Sequence, residues 1–221
     1  MPANLAERRR DRERHLVSAT RRLFDERGMQ DAPVEAIARE VGINKALIYR
    51  QLGSKEELFM LTLVDYLDDL TALAVDRGDC ADPEGLLRES LRRFTGFCLE
   101  YPAYLDCAHT LMRLPADELR TRVADDVWLR LGYAMAGALR PLALILEAGR
   151  DQGVFAIDDP DLVANRLYAQ VLGTMRLSRV GVGVRDRDGE PELFGIDAER
   201  LRADCVEDAM ALARVRYAAA G

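Results

Sequence analysis

The 221-residue sequence is poor in cysteine, proline, glycine and lysine. Its cysteines show no CxxC spacing, which predicts reduced thiols rather than a disulfide framework; they are Cys80, Cys98, Cys107 and Cys205. The sequence has no run of about 18 uncharged apolar residues, as a membrane span would need. The charged N-terminus also lacks the apolar segment of a signal peptide. We therefore expect a cytoplasmic protein with no membrane partner.

The positive charge is concentrated near the N-terminus, although the net charge of the chain is -7. Residues 1–55 contain 12 basic and 8 acidic residues, whereas residues 56–221 contain 19 and 30. Lys45 and Lys55, the two lysines among 31 basic residues, both lie in the first segment. A basic first segment on an acidic body predicts a polyanionic partner for that segment alone.

The spacing of apolar residues predicts an all-α protein. A first helix over 12–27 is ended by Gly28, and Pro33 begins a second that reaches residue 41. Asn44 is a suitable N-cap for a third helix over 45–52. Ser54 with Glu57 resembles a capping box at the start of a long fourth helix. Further helices are expected over about 84–100, 103–111, 116–152 (kinked or divided at Pro141), 161–180 and 198–219. Residues 181–197 are expected to be a long loop, and no strand is predicted.

The second and third helices have the spacing of a helix-turn-helix. Gly42 permits the positive φ of a tight turn, and Ile48 anchors the third helix to the second. At about 100° per residue, Ala46 and Arg50 point away from Ile48. The outward face carries no acid, unlike an ordinary solvated face; its members are Lys45, Ala46, Leu47, Tyr49 and Arg50.

Each outward side chain suits one kind of contact with duplex DNA. The Arg50 fork can read guanine, and Leu47 can pack on a thymine methyl group. Lys45, Lys55 and the Tyr49 hydroxyl suit phosphates, because a flexible point charge needs no fixed geometry. The alternatives are an ordinary αα-hairpin for this segment and, for the arginines at 8–14, a solvated tail rather than a DNA-contacting arm.

The stretch GINKALIYRQLGSKEELF resembles the recognition helix and following turn of the TetR family of bacterial transcriptional repressors. The matching residues are Gly42, Ile43, Ala46, Ile48, Tyr49, Ser54, Lys55, Glu56 and Leu58. The resemblance covers about residues 12–60. Ala32 departs from it, because the family commonly has a capping threonine there, and so do Gln51 and Leu52. DNA contacts are expected from Pro33, Val34, Asn44, Lys45, Ala46, Leu47, Tyr49, Arg50 and Lys55.

The resemblance implies a helix-turn-helix head over 1–54 and an effector-binding and dimerisation domain over 55–221. The implied function is that of a repressor released from a palindromic double-stranded DNA operator by a small-molecule effector. Candidate effector-binding residues are Phe97, Tyr101, Tyr104, His109, Met112, Arg113, Trp128, Met135, Tyr168 and Met175, which could equally be plain core. A homodimer is expected through Ala164, Tyr168, Leu172, Met175, Val206, Met210, Ala213 and Tyr217, the alternative being burial within one protomer.

Two other functions compete with this one. The first is a small-molecule or thiol/metal sensor with a degenerate DNA-binding head, for which Cys98, Cys107 and His109 are the candidate residues. The second is a helical enzyme that uses His109 or the cysteines. The sequence shows no nucleophile–base pair, glycine-rich phosphate loop or paired catalytic carboxylates. We therefore predict no enzymatic activity, no cofactor and no metal site.

Overall fold

A computed structural model describes the backbone of residues 2–28, 33–76, 78 and 80–214, and the side chains from residue 7 onward. Ala32 and Tyr217 lie outside these residues. The described helices are α1 (Pro2–Arg27), α2 (Val34–Val41), α3 (Lys45–Leu52), α4 (Lys55–Ala72), α5 (Pro83–Glu100), α6 (Pro102–Met112), α7 (Ala116–Thr121), α8 (Asp125–Asp151), α9 (Pro160–Val180) and α10 (Ala198–Arg214). The predicted all-α class is confirmed, with one short hairpin added to it.

The chain divides into two compact units that do not follow the boundary predicted after residue 54. One unit comprises Met1–Asp69 and Tyr101–Met135, and the other Leu70–Glu100 and Ala136–Gly221. The reason is that α4 supplies part of the core of the first unit. Phe24 of α1 meets Phe59 of α4 edge to face, with ring centroids 5.5 Å apart. Residues 55–69 therefore belong to the same packed body as the helix-turn-helix.

In the second unit, α9 packs against α5 and α10. Asp159 caps α9 by accepting a hydrogen bond from the Leu162 backbone N–H (2.9 Å), and Gly181 ends the helix with a φ of 71°. The described residues predicted to form a dimer are all buried inside this unit: Ala164, Tyr168, Leu172, Met175, Val206, Met210 and Ala213. This is the alternative to the predicted dimer contact, burial within one protomer, because the apolar faces of these residues are filled by neighbouring helices of the same chain.

Residues 182–195 form an antiparallel hairpin where a loop was expected. β1 (Val182–Arg187) pairs with β2 (Glu190–Gly195), with Arg187 opposite Glu190. The two connecting residues, Asp188 and Gly189, have φ angles of 57° and 87°. Positive φ at both central positions is the requirement of a type I′ turn, for which Asp-Gly is a favoured sequence.

Among the described residues, α8 is the one helix long and apolar enough to cross a membrane, and 22% of its most apolar window is buried in the protein. One such helix is weak evidence for a membrane span, since a core helix of a soluble protein passes the same test.

Candidate nucleic-acid interface and effector pocket

The turn between α2 and α3 is closed by local hydrogen bonds. Gly42 adopts a φ of 71°, which a side chain would strain. The Ile43 backbone N–H donates to the Ala38 carbonyl at 2.9 Å, which ends α2. The Asn44 side chain accepts from the Leu47 backbone N–H at 2.8 Å and so caps α3. Asn44 is therefore the N-cap of α3, as the sequence predicts.

The third helix presents the face expected from its periodicity. Ile48 and Leu52 are buried against the rest of the first unit. Ala46 and Arg50 are exposed on the opposite side, and Tyr49 is half-buried between the two faces. A small residue beside an exposed guanidinium leaves room for the helix to approach base edges.

Two of the predicted contact residues have other roles. The Val34 side chain is 5% exposed and packs in the core of the first unit. Lys45 is exposed, but its Nζ pairs with the Glu35 carboxylate at 2.5 Å. This hydrogen bond raises the pKa of Lys45 and lowers that of Glu35. An acid from α2 therefore borders the outward face, which the sequence of α3 alone does not reveal.

Lys55 stands exposed at the N-terminus of α4, where backbone N–H groups favour phosphate. Its Nζ lies 4.9 Å from the centroid of the Phe59 ring. Ser54 caps the helix by accepting from the Glu57 backbone N–H at 3.0 Å. Glu57 instead accepts from the Ala124 backbone N–H at 2.6 Å, and burial raises the pKa of its carboxyl group. The expected capping box is thus half formed.

A basic groove lies next to α3. This groove was not among the predicted sites. Arg9 and Arg12 of α1 line it together with Leu47, Arg50 and Gln51 of α3. The arginine run at 8–14 was the sequence feature that indicated this groove. The run lies on a helix rather than in an irregular tail. The groove brings exposed guanidinium groups of α1 and α3 together on the side that carries Arg50. Such a group of cations is suited to contacts with the phosphates of a nucleic-acid backbone.

The second unit contains a narrow, mainly apolar cavity of about 60 Å³. Its principal walls are Leu70, Leu73, Leu91, Phe94, Leu142 and Tyr168. The rings of Phe94 and Tyr168 stack with centroids 5.5 Å apart and an interplanar angle of 4°. Ser90 and Arg93 supply polar groups, although Arg93 already donates to the Leu73 carbonyl at 3.1 Å and pairs with Glu89.

The ten predicted effector-binding residues are divided between the two units. Tyr168 lines this cavity, whereas Phe97 and Met175 are fully buried core residues of the same unit. Seven belong to the first unit: Tyr101, Tyr104, His109, Met112, Arg113, Trp128 and Met135. There, Tyr104 packs edge to face on Tyr66, while Met112 and Arg113 are exposed.

The structure does not assemble the cysteines and histidine of the sensor hypothesis into a ligand set. The four thiols are buried, and burial raises the pKa values of Cys98, Cys107 and Cys205, the last to about 11. His109 Nδ1 lies 2.7 Å from the Leu105 carbonyl oxygen. Within the described part of the chain, no group of three or more His, Cys, Asp or Glu is placed to hold a metal ion.

Comparison with known proteins adds independent evidence on the head and on the whole chain. The model of the "Bacterial regulatory proteins, tetR family" matches residues 16–60. The chain is 31% identical over 157 residues to the HTH-type transcriptional repressor NicS of Pseudomonas putida, covering 71% of this chain and 70% of that protein. It is 36% identical over 58 residues to the HTH-type transcriptional regulator HbdR of Aromatoleum sp., covering 26% and 25%.

Solved structures share the whole fold at low sequence identity. PfmR from Thermus thermophilus, a TetR family transcriptional regulator, aligns with a TM-score of 0.59 at 20% identity and covers 95% of this chain and 97% of its own. RolR in complex with resorcinol aligns with a TM-score of 0.62 at 17% identity, covering 96% and 98%.

Proposed function

The chain belongs to the TetR family of bacterial regulatory proteins and is a ligand-responsive, DNA-binding transcriptional regulator; we propose that it is a cytoplasmic repressor. A small-molecule effector releases this repressor from a palindromic operator. The observation that carries the proposal is the exposed face of α3, with Arg50 and Ala46 opposite the buried Ile48. Repression is supported by the relative NicS, which is named a transcriptional repressor. An intact recognition face argues against a sensor with a degenerate head.

Operator binding requires two copies of the head, because one recognition helix contacts too few bases. A two-fold dimer places its two α3 helices in successive major grooves, about 34 Å apart. A second surface of α9 suits this dimer, since small and apolar exposed residues recur along the helix on the side away from its buried residues, with the exposed Arg166 between Leu162 and Ala169. We define the α9 stripe as Leu162, Ala169, Gly173, Leu177 and Val180, all of which are exposed.

The α9 stripe allows close helix pairing. Ala169 and Gly173 are four residues apart, so they lie on one side of the helix, and a Cβ added to Gly173 meets nothing within 4 Å. Antiparallel pairing about an axis between these two residues sets Leu162 opposite Val180 of the second copy. The surface is then self-complementary, as a two-fold interface must be.

We expect the Gly173→Gln variant to be monomeric at concentrations where the native chain is dimeric. The longer side chain blocks the closest approach of the two helices, whereas open space around Gly173 lets each protomer fold unchanged. Sedimentation equilibrium measures the dissociation constant. Gly132→Gln is the matched control, because Gly132 is also exposed, helical and open. Dimerisation that survives Gly173→Gln would contradict the assignment of this surface.

The effector is proposed to be a small, flat, largely apolar molecule such as a substituted aromatic ring. The supporting features are the stacked Phe94 and Tyr168 rings and the nearby polar groups of Ser90 and Arg93. The cavity is smaller than the 300–1,000 Å³ of ordinary ligand pockets, so binding must push its walls apart. One wall, Leu70, belongs to α4, the helix whose first residue is Lys55 beside the DNA-binding face. A displaced α4 would change the spacing of the two recognition helices.

We expect Leu142→Trp to keep operator binding but to lose its release by effector, because the indole fills the cavity. Fluorescence anisotropy of a labelled operator duplex, titrated with phenols and aromatic carboxylates including resorcinol and benzoate, measures the release. A coupling of about 1–3 kcal/mol predicts a 5–150-fold weakening of native binding. Leu129→Trp, the same change at an exposed position of α8, is the control. Equal release of both variants would exclude this cavity as the effector site.

A further inference from the structure

The β1–β2 hairpin has one polar face and one apolar face. Residues paired directly across an antiparallel hairpin lie on the same face. One face carries Arg185 and Arg187, both paired with Glu192, and the Phe194 ring that covers Gly183. The two arginines of this face are therefore matched within the hairpin itself.

The opposite face carries Val182, Val184, Asp186, Pro191, Leu193 and Gly195. Asp186 lies next to the turn, where its carboxylate accepts a hydrogen bond from the Gly189 backbone N–H at 3.2 Å. We call the apolar members, Val182, Val184, Pro191 and Leu193, the hairpin apolar face. Val184 and Leu193 are directly paired and each is 66% exposed, and Val182 is 43% exposed. The Asp188–Gly189 turn fixes the register, so a one-residue slip that would scatter these side chains is disfavoured. An isolated two-stranded hairpin is at best marginally stable in water. An exposed apolar face of this kind is typical of a surface that packs against another molecule.

The hairpin apolar face continues the α9 stripe along the chain. Val180, the last residue of α9, precedes Val182 by two positions, and the Ile196 backbone N–H closes the base of the hairpin by donating to the Gly181 carbonyl at 3.0 Å. In an antiparallel pair, the C-terminal end of one α9 lies beside the N-terminal end of the other. A hairpin that projects beyond the C-terminal end of its own α9 then meets the partner near the start of the partner's α9, at the partner's residues 153–159. In each copy this segment exposes the apolar Val154.

We propose that the hairpin is a dimerisation arm, whose apolar face packs on a second copy of this chain beyond the end of the α9 pair. The arm rests on the proposed dimer and extends its interface beyond the helices. The hairpin lies outside the α9 stripe, and it would add a contact between each protomer and the partner's α8–α9 connection. In a dimer the apolar faces of both hairpins are covered at once, because the two-fold axis relates the two hairpins.

The test replaces Val184 and Leu193 together with threonine, which keeps the preference for strand while removing apolar surface. The dimer dissociation constant is expected to rise at least about 100-fold, because two arms each lose two buried aliphatic side chains. The control replaces Arg185 and Glu190 on the polar face with threonine and is expected to change the constant less than about threefold. Sedimentation equilibrium from nanomolar to micromolar concentration measures all three proteins. A variant in which a Gly-Ser linker replaces residues 182–195 must reproduce the weakened dimer, because it removes the proposed arm altogether.

Three outcomes distinguish the arm from the dimer itself. A native dimer weakened by the Val184/Leu193 change and by the linker, but not by the polar-face change, supports the arm. A native dimer that all variants retain unchanged overturns the arm and leaves the proposed function intact. A native chain that is monomeric at micromolar concentration overturns the proposed dimer and the arm with it.

Discussion

Replacing Arg50 with alanine is expected to weaken the binding of the dimer to its operator by about 2–6 kcal/mol, roughly 30-fold to 20,000-fold. One bidentate contact between arginine and a base contributes about 1–3 kcal/mol, and a two-fold dimer loses that contact in both half-sites. Arg50 is exposed on the face opposite Ile48 and Leu52, so its removal creates no cavity in the head. The operator is first selected from random duplexes with the native protein, and dissociation constants are then measured by fluorescence anisotropy.

The specificity of the effect distinguishes a base contact from a phosphate contact. Arg50→Ala should reduce the ratio of operator to random-sequence affinity. Lys55→Ala should weaken both complexes alike and lower the slope of log affinity against log salt by about 0.9 per phosphate contact. Arg200→Ala, which removes a well-exposed arginine of α10, is the control and should change neither. An Arg50→Ala protein with native affinity and specificity would contradict the assigned recognition face.

The recognition helix was predictable because its determinants are local. The positive φ at Gly42, the Asn44 cap and the inward Ile48 follow from residues within a few positions of one another, and the structure confirms each. The ion pair of Lys45, in contrast, could not be predicted from neighbouring residues. Its partner Glu35 lies on the preceding helix, ten residues earlier, and only the crossing of α2 and α3 brings the two charges together.

Apolar periodicity identifies a buried face of a helix without telling which chain buries that face. Helix α9 carries two apolar faces: Leu172 and Met175 are buried within the protomer, while Gly173 and Leu177 are exposed. The apolar pattern of one helix does not tell the face buried within the protomer from the exposed face. The cavity of the second unit could not be predicted from the sequence for a related reason, since its walls come from α4, α5, α8 and α9, and their apposition depends on long-range packing.

The hairpin, in contrast, has a local sequence signal. Asp188-Gly189 lies between two short runs that contain β-branched and aromatic residues, which is a strong local hairpin signal. The surrounding charges at 185–192 favoured a loop interpretation, because alternating ionic residues resemble a solvated connection. In the structure Arg185 and Arg187 both pair with Glu192 across the strands, the latter at 3.0 Å.

Replacing Arg21 with methionine is expected to lower the free energy of unfolding by about 2–4 kcal/mol. The Arg21 side chain is 15% exposed, and its nitrogens lie 2.7 Å from an Asp65 carboxylate oxygen and 2.5 Å from one of Asp69. Its guanidinium carbon also lies 4.3 Å from the centroid of the Tyr66 ring. Methionine fills the space but leaves both carboxylates and the ring without their cation. The two aspartates are about half exposed, so the loss is smaller than for a fully buried pair.

Urea unfolding of the two proteins measures the difference, and Arg22→Met is the matched control. Arg22 is the next residue of the same helix, but it is 54% exposed and makes a single ion pair with Glu40. Its replacement should therefore change the unfolding free energy by no more than about 1 kcal/mol. Equal stability of the Arg21 and Arg22 variants would show that the Arg21 cluster contributes no more than an ordinary surface ion pair.

The deficit of the Arg21→Met protein should depend on pH through Asp25. Burial raises the pKa of this carboxyl group, although the hydrogen bond donated by Tyr66 (2.5 Å) and the charge of Arg21 oppose the rise. A carboxyl group with a raised folded-state pKa favours folding when protonated, and this contribution is lost as the pH rises through that pKa. Removing Arg21 raises the pKa of Asp25 further, so ionised Asp25 destabilises the variant more than the native protein. Unfolding measured from acid to neutral pH should therefore show a deficit that is smallest in acid and grows as the pH rises; a deficit independent of pH would mean that Arg21 acts by packing alone.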